Sequence, residues 1–448
     1  MTVDRSRAPE PGAAPPVAVP RPVRSQLANG LRLACVRRDR LPEVSLALVL
    51  SAGADSAGAE RAGLASLVAK VLPEGAGERN AREMATWLDG LGVHLGIAAG
   101  YDSMILHLHT LSEQLAPALD VLVAVATEPG FLDAEVDRCR NERLDAIRRS
   151  RDEPADVAAD VLAELLYGAH PYGRLTRGRA DTVERLTRQD LVDFHQHRFS
   201  PQAATLVACG DLPDGFGDLV AARFATWQGG EVDARPPADI TEIPQPGISL
   251  VDRPRSGQSE IRIGGIGLRR GDPGEPAARV TNAILGGLFN SRLNMNLRED
   301  KGWTYGARST LSLRRSNGPV ILRAAVETEV TAAAVREMLQ EVRRMRDTLP
   351  TVGEMRTAAG ALTRSLPLRF ETNGQIADTI AEQVIYGLPD DYWTTFSPRI
   401  EGVSRQQVRE TACRLLDPGG LAVLVVGDAG SVSSGLEDLG PVTRREAP

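Results

Sequence analysis

Apolar positions along this chain recur with two spacings, every second residue and every third or fourth, and the two alternate in blocks. Residues 27–33 place an Asn29-Gly30 turn between alternating apolar positions, which predicts a hairpin, and residues 44–51 continue as a strand. In residues 59–72 the spacing becomes helical, with Leu64, Leu67, Val68, Val71 and Leu72 on one stripe and Pro73 and Gly75 as the stop. Residues 92–111 alternate like a second hairpin, and 115–126 form an amphipathic helix. A charged helix follows over about 133–151, and another over about 154–167.

The same order then starts again. A strand is predicted at 248–251, helices at about 276–285 and 291–301, a strand at 320–326, three more helices, and a strand at 421–426. Two segments repeat without gaps. Residues 186–212 align with 403–429, bringing Thr187 onto Ser404 (404 − 187 = 217), Asp190 onto Gln407, Pro201 onto Pro418, and one Gly-Asp strand end onto the other. Glu164-Leu-Leu-Tyr-Gly168 aligns with Gln383-Val-Ile-Tyr-Gly387 at a similar offset (383 − 164 = 219). Two ordered matches indicate a duplicated domain. The predicted class is α+β: two homologous α/β-sandwich domains, each a sheet with helices packed on it. The expected boundaries are a disordered tail over 1–24, a first domain over 25–228, a linker over 229–246, a second domain over 247–430, and a loose tail over 431–448.

Composition narrows the function classes. Hydrophobic content of 42% and charged content of 25% are those of an ordinary globular protein. A net charge of −7 gives no electrostatic reason to expect nucleic acid or an anionic membrane as partner. Only Lys70 and Lys301 are lysines, so nearly all basic charge is arginine. The cysteines Cys35, Cys139, Cys209 and Cys413 are scattered, which predicts buried or half-buried free thiols in a reducing compartment. No stretch of about 18 uninterrupted apolar residues is present, and the expected location is cytoplasmic.

Chemistry enters through Gly286-Gly-Leu-Phe-Asn-Ser-Arg-Leu293, followed by Leu297-Arg-Glu-Asp-Lys-Gly-Trp-Thr-Tyr-Gly306. These residues resemble the C-terminal-domain signature of the insulinase-like zinc metallopeptidases, the family of pitrilysin and the mitochondrial processing peptidase. The Asn29-Gly30 turn, Gly63-Leu-Ala65, Leu250-Val-Asp-Arg-Pro254 and both Gly-Asp ends agree in order, so the resemblance covers roughly residues 25–430. Chain length resembles the short bacterial branch, whose members often work as heterodimers. Gly286-Gly287 and Gly302 are expected in tight turns and a helix C-cap.

Active members of that family carry H-x-x-E-H on the first helix of the N-terminal half and a distal glutamate on a later helix. Two histidines at i and i+4 face one metal, and the glutamate between them takes a proton from the zinc-bound water. Here the matching positions hold Ser66 and Lys70 for the histidines, Ala69 for the base and Ala146 for the distal ligand. Glu142 and Asp145 lie within a turn of Ala146 and leave that register open. No two of His94, His107, His109, His170, His195 and His197 are four apart, and ordinary polar or core roles are expected for all six. The resemblance therefore implies that this chain holds no catalytic zinc.

The family also uses an arginine and a tyrosine seven residues apart, which reach the metal site from the C-terminal domain. They correspond to Arg298 and Tyr305. The resemblance implies that both donate hydrogen bonds to substrate carbonyls and to the tetrahedral oxyanion, where losing one donor typically costs about 10²- to 10³-fold in rate. Residue chemistry alone also allows Arg298 to pair with Glu299 and Tyr305 to pack its ring. The implied function is the non-catalytic subunit of a heterodimeric peptidase. It is inactive alone and partnered with a homologous subunit that carries H-x-x-E-H and the zinc, with short or unfolded peptides as substrate. Two other readings stand beside it: a passive scaffold of the same fold, and a metal-free hydrolase using Ser66 and Lys70.

Overall fold

The computed structural model describes residues 17–229, 240 and 247–446. Most of the expected linker, and residues 1–16 of the expected tail, lie outside the described residues.

Each half is built on a six-stranded mixed sheet. Across the first sheet the strands run Val23–Gln26, Arg32–Arg37, Ala204–Gly210, Glu43–Leu50, Met104–Leu111 and His94–Ala99. Across the second they run Val442–Arg445, Gly247–Asp252, Ala422–Gly427, Gln258–Ile266, Pro319–Glu327 and Ala307–Leu311. Pairing is the same at the inner positions. Arg32–Arg37 lies parallel to Ala204–Gly210, as Gly247–Asp252 does to Ala422–Gly427, and the remaining inner pairs are antiparallel. The duplication read from the sequence is thus a duplication of topology. The halves differ at one edge. Val23–Gln26 pairs antiparallel with its neighbour, whereas Val442–Arg445 pairs parallel with Gly247–Asp252.

That last strand corrects an expectation. The segment after residue 430 is not a loose tail, because the helix Ala429–Glu437 and the strand Val442–Arg445 complete the second domain. Likewise, Val17 and Val19 pack against the second core and Val23 already begins a strand, so order starts before residue 25. The thiols follow expectation except at Cys413, which is exposed.

Local chemistry explains the repeated motif. Thr187 and Ser404 each accept a hydrogen bond from the backbone N–H three residues on, and the Asp190 and Gln407 side chains in turn accept one from the cap residue's backbone N–H. These reciprocal caps satisfy otherwise orphaned helix donors at both sites. Pro201 and Pro418 then open short turns leading into the fully buried strands Ala204–Gly210 and Ala422–Gly427. Gly210 adopts φ 140° and lies so close to Glu43 that a Cβ would come within 2.2 Å of its carbonyl oxygen.

Each sheet buries one face under helices of its own half. The opposite face is covered from the other half. The helix Pro154–Tyr167 lays Val157, Val161, Leu162 and Leu166 on Val251, Leu424 and Val426 of the second sheet. Reciprocally, Asn373–Tyr386 lays Ile376, Ala377, Ile380 and Ala381 on Ala34, Ala47, Val49 and Val207 of the first. These helices end in the matched Tyr-Gly segments, so the exchange is itself two-fold. Leu162, Leu166 and Tyr167 are 1–2% exposed. Burying three such side chains contributes on the order of 5–9 kcal/mol. Polar groups fasten the seam: Tyr172 donates to Asp102 at 2.5 Å, the Arg315 backbone N–H donates to the same carboxylate at 3.2 Å, and Tyr167 donates to the Asn317 carbonyl at 3.0 Å.

Candidate functional site

The family's metal-binding helix corresponds to Leu64–Val71. It starts at Gly63, whose φ of 98° and close approach to the Arg177 carbonyl exclude a side chain. Leu64, Leu67, Val68 and Val71 turn inward to the sheet, leaving Ser66 and Lys70 on the outer stripe opposite the long helix Asp133–Asp152. The Ser66 hydroxyl donates to the Gly63 carbonyl at 3.0 Å, and Arg143 donates to the Ser66 carbonyl at 3.3 Å. Ala69 is buried. The Lys70 ammonium lies 2.7 Å from the Glu142 carboxylate, which also accepts from Arg138 at 2.7 Å. Hydrogen bonds from Lys70 and Arg138 hold that carboxyl below its ordinary range.

Of the two acids near the expected distal position, Glu142 is the one that reaches Lys70. Ala146 is half-buried one turn later, and Asp145 pairs instead with Arg148 at 2.7 Å. The positions expected for ligands and base therefore present a hydroxyl bound to its own helix, a methyl group, an ammonium and a second methyl group, and the nearby Glu142 carboxylate is taken up by Lys70 and Arg138. Zinc sites need imidazole, thiolate or carboxylate donors, and this set does not fit one. Among the described residues no three His, Cys, Asp or Glu side chains converge to hold a metal ion. Ser66 and Lys70 share no hydrogen bond either, since each has turned to another partner.

Five of the six histidines, His107, His109, His170, His195 and His197, have local polar partners. His94 and His109 face each other across antiparallel strands, His107 lies 3.2 Å from Asp378, and His109 contacts Ser45 at 3.0 Å. His195 contacts the Ala126 carbonyl at 2.9 Å and His197 the Asp193 carbonyl at 2.6 Å, while His170 accepts from the Tyr172 backbone at 3.0 Å.

In the second half, the two helices that frame the motif do not stay α-helical as expected. Glu275–Asn282 passes into a π-helical turn at Ala283–Gly287, and the short turn Arg292–Asn294 passes into a second at Met295–Asp300. Such wide turns are frequent at functional sites. Gly286 is required for packing rather than for a turn, because a Cβ there would meet the Ser309 backbone nitrogen at 2.3 Å. Gly302, at φ 67°, closes the second helix as a C-cap by donating to the Arg298 carbonyl at 3.0 Å.

Arg298 sits on the second π turn with its side chain 38% exposed. Its guanidinium stacks 4.6 Å above the Phe289 ring and lies 3.4 Å from Glu299. Tyr305 follows in the connecting loop and is 96% exposed. Among the described residues no hydrogen bond joins Arg298 to Tyr305, or either to Ser66 or Lys70. The two donors thus face solvent, with their phenol and guanidinium edges available. Sequence reading missed Phe289, a 65% exposed platform for Arg298. It also missed Arg292, which is clamped to Glu354 by two hydrogen bonds of 2.6 and 3.1 Å. An exposed aromatic inside the glycine-rich segment was the available signal for the first.

Residues 33–179 match the model for the insulinase family (peptidase family M16), and residues 185–362 match that for the peptidase M16 inactive domain. An uncharacterised zinc protease of Mycobacterium tuberculosis is 28% identical over 415 residues, covering 91% of this chain and 94% of that protein. The uncharacterised zinc protease YmxG of Bacillus subtilis is 23% identical over 405 residues, covering 88% and 97%. Among solved structures, a peptidase M16 inactive domain from Pseudomonas fluorescens superposes with a TM-score of 0.85 at 25% identity, covering 91% of this chain and 98% of that one. A protease from Helicobacter pylori shares the fold at the same TM-score of 0.85, with 15% identity. Matches to both family models, in order and along most of the chain, place this protein in the peptidase M16 (insulinase) family.

Proposed function

We propose that this chain is the non-catalytic subunit of a heterodimeric zinc peptidase, supplying Arg298 and Tyr305 to a zinc centre carried by a homologous H-x-x-E-H partner. The observation that carries this reading is the Lys70–Glu142 ion pair. Lys70 stands where the resemblance expects the second histidine and is tied up by Glu142, while the donor pair of the other half stays exposed. An ammonium at that place repels a dication. The relatives named as zinc proteases support the class of chemistry.

In the assembled pair, the partner's zinc would polarise the scissile carbonyl and activate water. Arg298 and Tyr305 of this chain bind the peptide and stabilise the oxyanion, because a guanidinium and a phenol donate hydrogen bonds without giving up a proton. Phe289 holds the guanidinium plane, which reduces the freedom Arg298 loses on binding. Mixing this chain with an H-x-x-E-H homologue tests the reading. Chelator-sensitive peptide cleavage that neither chain gives alone is the expected result.

A passive scaffold is the second reading, and the Arg298–Glu299 contact favours it, since it occupies one of the donors. Full activity of the pair after loss of both Arg298 and Tyr305 would establish the scaffold instead.

A further inference from the structure

A row of arginines crosses the second sheet on the face covered by the Pro154–Tyr167 helix. Arg262 lies directly opposite Arg323, and Arg323 directly opposite Arg308, on three adjacent strands. Residues opposite one another share a face, and neighbouring strands are about 4.8 Å apart, so the row extends roughly 10 Å. Like charges placed this way destabilise a sheet. Glu260 compensates Arg262 at 2.5 Å, but among the described residues Arg308 and Arg323 have no acidic partner. Both are exposed.

The row borders a cavity of about 420 Å³ in the seam between the halves. Arg314 stands on its wall, stacked 4.1 Å over Tyr101 and 4.8 Å over Tyr172, with Nη1 buried and unpartnered. The carboxylates lining the cavity are Asp156 and Asp160, and Arg177 already binds Asp160. Four lining guanidiniums (Arg177, Arg262, Arg314, Arg323) thus face two carboxylates. The corresponding seam of the other half is lined by His94, His107 and His109, so the fold does not require arginine there.

We propose that the arginine row and this cavity form a binding site for a ligand bearing two or more carboxylates. The positive charge is spread along a line rather than gathered at a point, which suits separate single charges better than one compact dianion. Planar guanidinium forks match carboxylates, and the tyrosine-lined wall takes the carbon skeleton between them. An acidic peptide and a free polycarboxylate present the same groups. The site does not depend on a zinc-bearing partner.

Calorimetric titration of the isolated chain tests it with four probes: a short peptide with glutamate at every second position, its glutamine counterpart, a free tricarboxylate, and inorganic phosphate. Binding of either carboxylate probe, weakened about ten-fold or more in an Arg308→Gln, Arg323→Gln double variant, is expected, since each charge-assisted hydrogen bond is worth at least that much. Which of the two binds identifies the source. The idea is overturned by binding of neither, by equal binding of the glutamine peptide, by phosphate binding as tightly, or by unchanged affinity in the double variant. Should that variant fail to fold, Arg308→Lys with Arg323→Lys keeps the charge and removes the fork, and undiminished affinity there overturns fork recognition. The unliganded Gln variant should melt no lower than the parent, because it relieves like-charge contact.

Discussion

Lys70 and Glu142 are joined across two helices by a 2.7 Å ion pair. Glu142 is held low chiefly by that hydrogen bond and next by the one from Arg138. Replacing Lys70→Met should raise the Glu142 carboxyl part of the way to its ordinary range, because Arg138 remains. NMR titration of that carboxyl reads the change. An unaltered titration would mean that the two groups are not coupled.

The chain purified alone and dialysed should contain no stoichiometric zinc. Elemental analysis decides this. A full equivalent that disappears in a variant of the Ser66–Lys70 helix would refute the proposed division of labour.

Arg298→Ala and Tyr305→Phe should each slow the assembled pair by about 10²- to 10³-fold. Their melting temperatures should stay close to that of the parent, since Tyr305 is 96% exposed and Arg298 half-buried. Rates measured with saturating partner separate loss of catalysis from loss of assembly. An Arg298→Lys variant that matches the parent would show that charge alone suffices.

Glu354 links acid stability to the glycine-rich motif. Burial pushes its carboxyl up, but hydrogen bonds from Arg292 and the Thr351 cap outweigh burial and bring it down to about 2 from the usual 4.5. A carboxyl depressed on folding stabilises the protein above its unfolded value and loses that contribution as pH falls from about 4.5 to 2. Solvent screening of this partly exposed pair keeps the contribution below the roughly 3 kcal/mol that the full shift would give. Glu354→Gln should therefore lower the melting temperature at neutral pH and leave it nearly unchanged near pH 2. Equal losses at both pH values would contradict the linkage.

Glu275 is 1% exposed and binds Arg270 at 2.5 Å, Arg279 at 2.8 Å and the Tyr392 hydroxyl at 2.5 Å. Glu275→Ala leaves the buried Arg270 with Glu382 alone, at 2.8 Å, and should cost up to about 3–5 kcal/mol. A denaturant midpoint within error of the parent would exclude a structural role for this cluster.

Much of the fold was legible from periodicity. The helix Pro154–Tyr167 begins and ends where Pro154, the apolar stripe and Gly168 indicate. Its apolar stripe announces burial but carries no label for the surface it meets, so the exchange of helices between the halves was not readable. The strand Val442–Arg445 escaped notice because its side chains are largely exposed, leaving no alternation to detect. The π turns at Ala283–Gly287 and Met295–Asp300 have the same composition as α-helix. At the site, a motif singled out Arg298 and Tyr305, but the Phe289 platform and the pairing of Glu142 with Lys70 depend on how helices stand against each other. The arginine row is visible only once strand register is known.

The reciprocal helix cover has a consequence for how this polypeptide is made. During synthesis the first sheet is complete once Gly210 has left the ribosome, yet Ala47, Val49 and Val207 wait for Asn373–Tyr386 to arrive. Through that interval the nascent chain presents a bare apolar sheet face. Chaperone capture, or misassembly between neighbouring nascent chains, is the hazard, and cutting the connection between the halves after folding should leave two fragments clasped together.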